Sequence, residues 1–71
     1  MIEVRGIIYE VISASFIQTD YYTDIGRVLN VENGSVYIKV SNGLLVVKEV
    51  REIDQDVVVY PDEILKLGER L

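Results

Sequence analysis

Two asparagine–glycine pairs punctuate the stretch of sequence that decides the fold, RVLNVENGSVYIKVSNGLLVVKEVR, residues 27–51. Asparagine and glycine tolerate the positive φ that both central positions of a type I′ turn require, and this turn suits the twist of antiparallel strands. Asn33-Gly34 and Asn42-Gly43 therefore predict two tight hairpin turns. The strands that they join are predicted at Arg27–Glu32, Ser35–Ser41 and Leu44–Arg51.

Each predicted turn fixes a register, and both registers place the same face of the middle strand against apolar partners. That face carries Val36, Ile38 and Val40. A slip by one residue would bring polar side chains onto it, so the agreement favours a core there. The predicted partners are Val31 and Leu29 across the first turn, and Leu45 and Val47 across the second. The opposite face is mixed, with Asn30, Tyr37, Lys39, Lys48, Val28, Val46 and Val50, and is expected to be partly covered.

The segments on either side supply further elements. Ile2–Ile12 is predicted as one long strand bent at Gly6, because glycine favours a bulge or corner there. Ser13–Asp24 is polar with scattered aromatics and is predicted as a loop, with a short irregular strand near Phe16-Ile17 as the alternative. Val57–Tyr60 is a short apolar strand. Pro61 then suits the first position of a short helix, which we expect to end near Gly68.

Composition agrees with a small β-rich domain. Valine, isoleucine and tyrosine are abundant, whereas Ala14 is the only alanine, and branched and aromatic side chains favour strands. A chain of 71 residues has room for one domain. The predicted fold is therefore mainly β: a single domain, residues 1–71, forming a small five-stranded OB-like barrel with a short C-terminal helix. Closure into a barrel would remove exposed strand edges.

Several classes of chemistry are excluded by what the sequence lacks. It contains neither cysteine nor histidine, which removes disulfides, the usual zinc sites and Cys- or His-based catalysis. We therefore expect no metal, no cofactor and no enzymatic activity in this chain. The net charge of −5 argues against general nucleic-acid binding. There is no apolar run of membrane-spanning length and no basic leader, so we expect a cytoplasmic protein without a membrane partner.

From Gly26 onward the chain resembles a known family. The features that carry the resemblance are the strand opening Gly26-Arg27-Val28-Leu29, the turn and strand Ser41-Asn42-Gly43-Leu44-Leu45-Val46-Val47, and the ending Ile64-Leu65-Lys66-Leu67-Gly68-Glu69-Arg70-Leu71. In this order they resemble the C-terminal domain of methionyl-tRNA formyltransferases. The resemblance implies an OB-like barrel that helps to hold tRNA, here without the histidine-dependent catalytic domain.

Four residues are candidates for contact with RNA: Arg27, Tyr37, Lys39 and Lys48. Tyr37 and Lys48 are predicted as direct cross-strand neighbours, with Lys39 two residues from Tyr37 and Arg27 near the rim. An aromatic side chain among cations can stack on bases and follow a phosphate backbone. The alternative is an ordinary outer strand whose lysine stems cover apolar surface beside a tyrosine.

Two further features are candidates for protein contact. Tyr21 and Tyr22 form an aromatic pair in the predicted loop, suited either to a partner or to covering the mouth of the barrel. Val57–Tyr60 is apolar and uncharged, so an exposed edge there would favour pairing with a second copy.

Two functions follow from these features. The first is a non-catalytic accessory module that contacts tRNA or another RNA through the mixed sheet face. The alternative is a protein-interaction or homo-oligomeric assembly module that binds a separate catalytic partner or itself through strand edges or the Tyr21–Tyr22 loop. The acidic charge favours the alternative, and the family resemblance favours the first.

Overall fold

A computed structural model describes residues 1–20 and 23–71, and these form one curled antiparallel sheet. Its strands are β1 (Ile2–Val4), β2 (Ile7–Gln18), β3 (Val28–Glu32), β4 (Ser35–Val40), β5 (Gly43–Glu52) and β6 (Val57–Val59). The main path runs β1-β2-β5-β4-β3, and β6 pairs with β5. The sheet forms a half-barrel, which confirms the mainly β fold class.

The Asn33-Gly34 turn has the predicted form. Asn33 has a φ of 52° and Gly34 a φ of 85°, as a type I′ turn requires. Val31 lies opposite Val36, as the sequence predicts. This turn therefore fixes the start of the β3–β4 hairpin.

Beyond Asn30, which still lies opposite Tyr37, β3 departs from the predicted register. A bulge between Val28 and Asn30 leaves Val28, not Leu29, opposite Ile38. The extra residue moves Val28 onto the inner face, where it is buried. The prediction that Leu29 pairs with Ile38 and that Val28 lies on the outer face is wrong for this reason.

The second turn forms one residue earlier than predicted. Ser41 and Asn42 make the turn, Gly43 already belongs to β5, and Val40 lies opposite Gly43. Ile38 consequently lies opposite Leu45, a register shifted by two residues. Because side chains alternate with a period of two, this shift leaves the same residues on the apolar face.

Gly43 is required by close packing between strands. A Cβ atom at this position would lie 2.1 Å from the carbonyl oxygen of Ile17 and 2.7 Å from Cζ of Phe16. Its φ lies outside the left-handed region, so its backbone conformation is open to other residues. The second asparagine–glycine pair therefore marks a hairpin, but its glycine lets β2 approach β5.

The N-terminal segment is a hairpin rather than one bent strand. Arg5 and Gly6 both have positive φ, 50° and 84°, and form a tight turn with Val4 opposite Ile7. Strand β2 then continues to Gln18 and pairs with β5 over most of its length. The prediction of one strand over Ile2–Ile12 is therefore wrong, and so is the predicted loop from Ser13 to Gln18. The alternative of a strand near Phe16-Ile17 agrees with β2.

The core lies on the concave face of the half-barrel. Its buried members are Val4, Tyr9, Val28, Val36, Ile38, Val47, Val50 and Leu65. Val50 was predicted on the outer face. Its burial follows from two register irregularities around Ser13 in the β2–β5 ladder, which rotate the strand between Val47 and Val50.

The predicted C-terminal helix is a single 3-10 turn, Pro61–Glu63. The backbone N–H of Tyr60 donates to Oε2 of Glu63 at 2.8 Å and begins the turn. Leu65 follows and inserts into the core. The tail then runs beside β3, with the N–H of Val28 donating to the carbonyl of Glu69 at 2.8 Å. The tail therefore covers one edge of the sheet.

Leu65 and Leu67 give a matched test of this core. Leu65 is 1% exposed, whereas Leu67 is 67% exposed. Leu65→Ala should lower the free energy of unfolding by about 2–5 kcal/mol, because a buried leucine leaves a cavity. Leu67→Ala should change it by less than about 0.5 kcal/mol. Urea denaturation measures both, and equal effects would contradict the described core.

Gly43→Ala tests the close approach of β2 to β5. We expect a loss of at least about 1–3 kcal/mol, because the added methyl group meets the backbone of Ile17. Gly6→Ala is the comparison, since its Cβ would meet nothing within 4 Å but its φ of 84° is strained for alanine. That strain costs about 1–2 kcal/mol. Urea denaturation should rank Gly43→Ala as the more destabilising.

Candidate interaction surface

Two of the four residues predicted to contact RNA are engaged within the protein. Nη2 of Arg27 lies 2.6 Å from Oδ2 of Asp24, and Nη1 donates to the carbonyl of Gly68 at 2.8 Å. The hydrogen bond and charge of Arg27 hold the pKa of Asp24 below its ordinary value. Lys39 is only 4% exposed, and its Nζ donates to the carbonyl of Val40.

The other two RNA candidates lie apart from each other along the sheet. Tyr37 is half-buried on β4 and lies opposite Val46, so it is not the direct cross-strand neighbour of Lys48 that the sequence predicted. Lys48 is exposed at the irregularity of the β2–β5 ladder. The structure thus shows internal partners for Arg27 and Lys39 and no direct pair of Tyr37 with Lys48, and the contact with RNA stays a prediction.

Arg51 is neutralised by two carboxylates. Its Nη2 lies 2.8 Å from Oε1 of Glu10, and its Nη1 lies 2.6 Å from Oδ1 of Asp56. Hydrogen bonds to Glu10 and then Asp56 raise the pKa of Arg51. This cation is therefore committed to linking β2, β5 and the turn before β6.

Glu69 ties the tail to the first hairpin. Its Oε1 accepts from the backbone N–H of Lys66 at 2.6 Å, and its Oε2 lies 2.6 Å from Nη1 of Arg5. The Lys66 hydrogen bond, followed by the contact with Arg5, holds the pKa of Glu69 below its ordinary value. Arg5 also donates to the carbonyl of Ile64.

One long strand edge is unpaired among residues 1–20 and 23–71. We define the β2 edge as the side of Val11–Gln18 that faces away from β5. Strand β1 pairs with β2 only from Ile7 to Tyr9, and no other strand in the described ranges pairs beyond that point. Unpaired backbone N–H and C=O groups along a strand are a template for another strand.

The same segment exposes large apolar side chains. Ile12 is 48% exposed, Phe16 50% and Ile17 44%. Its sequence, VISASFIQ, contains no charged residue, proline or glycine. Edge strands are normally protected by charges, prolines or bulges, and of these devices the segment shows the register irregularity around Ser13.

The other strand edges are short. Strand β3 has five residues, and the tail pairs with Gly26 and Val28 at its start, where the N–H of Leu71 donates to the carbonyl of Gly26 at 2.9 Å. Strand β6 has three residues, and Asp54 and Asp56 precede it. Charges beside a short apolar strand discourage pairing with other chains. The β2 edge is thus the long unprotected edge of the described sheet.

An open cavity of about 310 Å³ lies beside the end of β4. Its lining residues are Thr19, Asp20, Thr23, Ile25, Lys39, Ser41 and Asn42. Across the described ranges, no group of three or more carboxylate, histidine or cysteine side chains is placed to hold a metal ion. No helix in those ranges is long and apolar enough to cross a membrane.

The sequence pattern does not predict the β2 edge, because it indicates a loop over most of Ser13–Asp24. Ser13, Ala14 and Ser15 have weak strand preference, so composition favoured a loop. A contrary signal was present, since neither glycine nor proline occurs between Gly6 and Gly26. Without those residues the chain has few positions suited to a tight turn.

Tyr21 and Tyr22, the predicted partner-contact pair, lie outside the described residues, and their role stays a prediction. Comparisons of the chain with family models, curated proteins and solved structures found no match. The resemblance to formyltransferase C-terminal domains therefore stays a prediction carried by the residues quoted above.

The Glu69 contacts predict a pH-dependent contribution to stability. A lowered pKa in the folded state means stabilisation that is present above the unfolded pKa of about 4.3 and is lost as pH falls through the folded pKa. Glu69→Gln should therefore lower the urea midpoint at pH 7, and the gap to wild type should close towards pH 3. Glu32→Gln, at an exposed hairpin position, is the control. A gap that is constant with pH would contradict this role of the Glu69 charge.

Proposed function

We propose that this chain is a non-catalytic protein-interaction module that assembles with protein through the β2 edge. The observation that carries the proposal is the unpaired, uncharged segment Val11–Gln18 with its exposed apolar side chains. Strand addition to such an edge provides main-chain hydrogen bonds for affinity and side-chain contacts for specificity. The family resemblance makes a separate catalytic protein one candidate for the partner.

The distribution of charge supports protein contact over RNA contact. The chain carries −5, and Arg5, Arg27 and Arg51 each lie within an ion pair. Lys39 is buried. A nucleic-acid site needs cations that can neutralise phosphates, and most binding affinity for a non-specific partner comes from this neutralisation. The tRNA-contacting module remains the alternative that the resemblance favours.

Adding a charge at the β2 edge should abolish assembly. Ala14→Lys places an ammonium group in the middle of the edge, at a position where the added side chain can extend into solvent. Leu67→Lys, at the exposed position in the tail, is the matched control with the same change of charge. We expect wild type and Leu67→Lys to associate either with a second copy of the chain or with other proteins captured from a nuclease-treated cell lysate. Ala14→Lys should lose that association.

A titration with tRNA distinguishes the RNA-contacting alternative from the protein-interaction module. We expect no saturable binding of wild type to tRNA at physiological salt, and no change on Lys48→Glu. Saturable binding that weakens steeply with salt and with Lys48→Glu would support the RNA module instead. Association that Ala14→Lys leaves intact would contradict the proposed use of the β2 edge.

A further inference from the structure

The β2 edge has the right polarity to receive another antiparallel strand. The N–H of Thr19 donates to the carbonyl of Asn42 on the β5 side, at 3.4 Å. Backbone groups alternate between the two sides of a strand, so Ser15 and Ile17 also face β5. Ala14, Phe16 and Gln18 consequently direct their N–H and C=O groups to the unpaired side.

The available length of this edge suits pairing with itself. The pairing between β1 and β2 ends where Ile2 lies opposite Tyr9, and β2 itself continues to Gln18. A two-fold axis at Ser15 would place Ile12 opposite Gln18 of the second copy and Ala14 opposite Phe16. The incoming strand would then stop short of Tyr9, so it would not displace β1.

The β2 edge itself carries none of the charge that would oppose this occupant. Two copies of a chain with net charge −5 repel each other, so a contact between them requires a surface without like charges. Val11–Gln18 is uncharged, and the neighbouring Glu10 is paired with Arg51. Exposed Phe16 and Ile17 would become covered across the contact, which is the apolar gain that association needs.

We propose that the β2 edges of two copies pair antiparallel about a two-fold axis, so that two half-barrels share one continuous sheet. This inference rests on the proposed function, because it names a second copy as the partner of the same edge. A two-fold axis makes the contact self-complementary, with the same segment used by both copies. Because outward-facing groups must meet, the axis passes through a residue rather than between two, and the length of the edge places it near the centre, at Ala14, Ser15 or Phe16.

Single cysteines test this geometry directly, because the chain contains no other cysteine. Residues opposite each other have Cα atoms about 4.5–5.5 Å apart, within the range of a disulfide. Under mild oxidation, one of Ala14→Cys, Ser15→Cys and Phe16→Cys should form a covalent dimer in high yield, and the position that does so locates the axis. Leu67→Cys is the control and should remain largely monomeric.

Light scattering of the cysteine-free protein provides the second measurement. Wild type and Leu67→Lys should have the mass of a dimer, and Ala14→Lys should raise the dissociation constant by about 10-fold or more. A monomer mass together with no cross-link at the three positions would overturn the inference. Edge-dependent capture of a different protein by such a monomer would leave the proposed function standing. A dimer that cross-links only through Leu67→Cys would also overturn the inference.

Discussion

Pairing along both edges of β5 is the constraint on which the rest of the structure depends. Strand β2 occupies one edge, while β4 and then β6 occupy the other. The change from β4 to β6 falls between Val47 and Val50, where the β2–β5 ladder is also irregular. Bulges increase local twist and bend a strand. The sheet therefore curls at this point, and both valines lie fully buried inside the curve.

This arrangement also determines which strand is left with an open side. The tail lies beside the start of β3, where its backbone pairs with Gly26 and Val28. Strand β1 covers only the start of β2. Across the described residues the rest of the β2 edge is unpaired, and its apolar composition is the ground for the proposed association.

The sequence specifies the turns and faces of this fold better than its registers. Asn33-Gly34 was predictable because its positive φ values suit few other residues. The apolar face survived the displaced second turn because the shift was by two residues. The bulge at Leu29 was not predictable, since one extra residue leaves local preference unchanged and is selected by packing of Val28. For the candidate site, the alternation of side chains along β4 predicts which face of the sheet carries Lys39. The burial of Lys39 could not be predicted in this way, because it depends on the distant segment that lines the same cavity.

Salt should act in opposite directions on the two kinds of association considered for this chain. Nucleic-acid binding releases counterions and weakens as salt rises. Contact between two acidic copies through an uncharged edge instead benefits from screening, because added ions reduce the repulsion between net charges of −5 while leaving apolar contact intact. The arginine ion pairs act over short distances, so they affect the structure within one copy more than the electrostatic repulsion between two copies. The acidic charge would thus limit the proposed self-association without directing it, and the unpaired backbone of β2 would direct it.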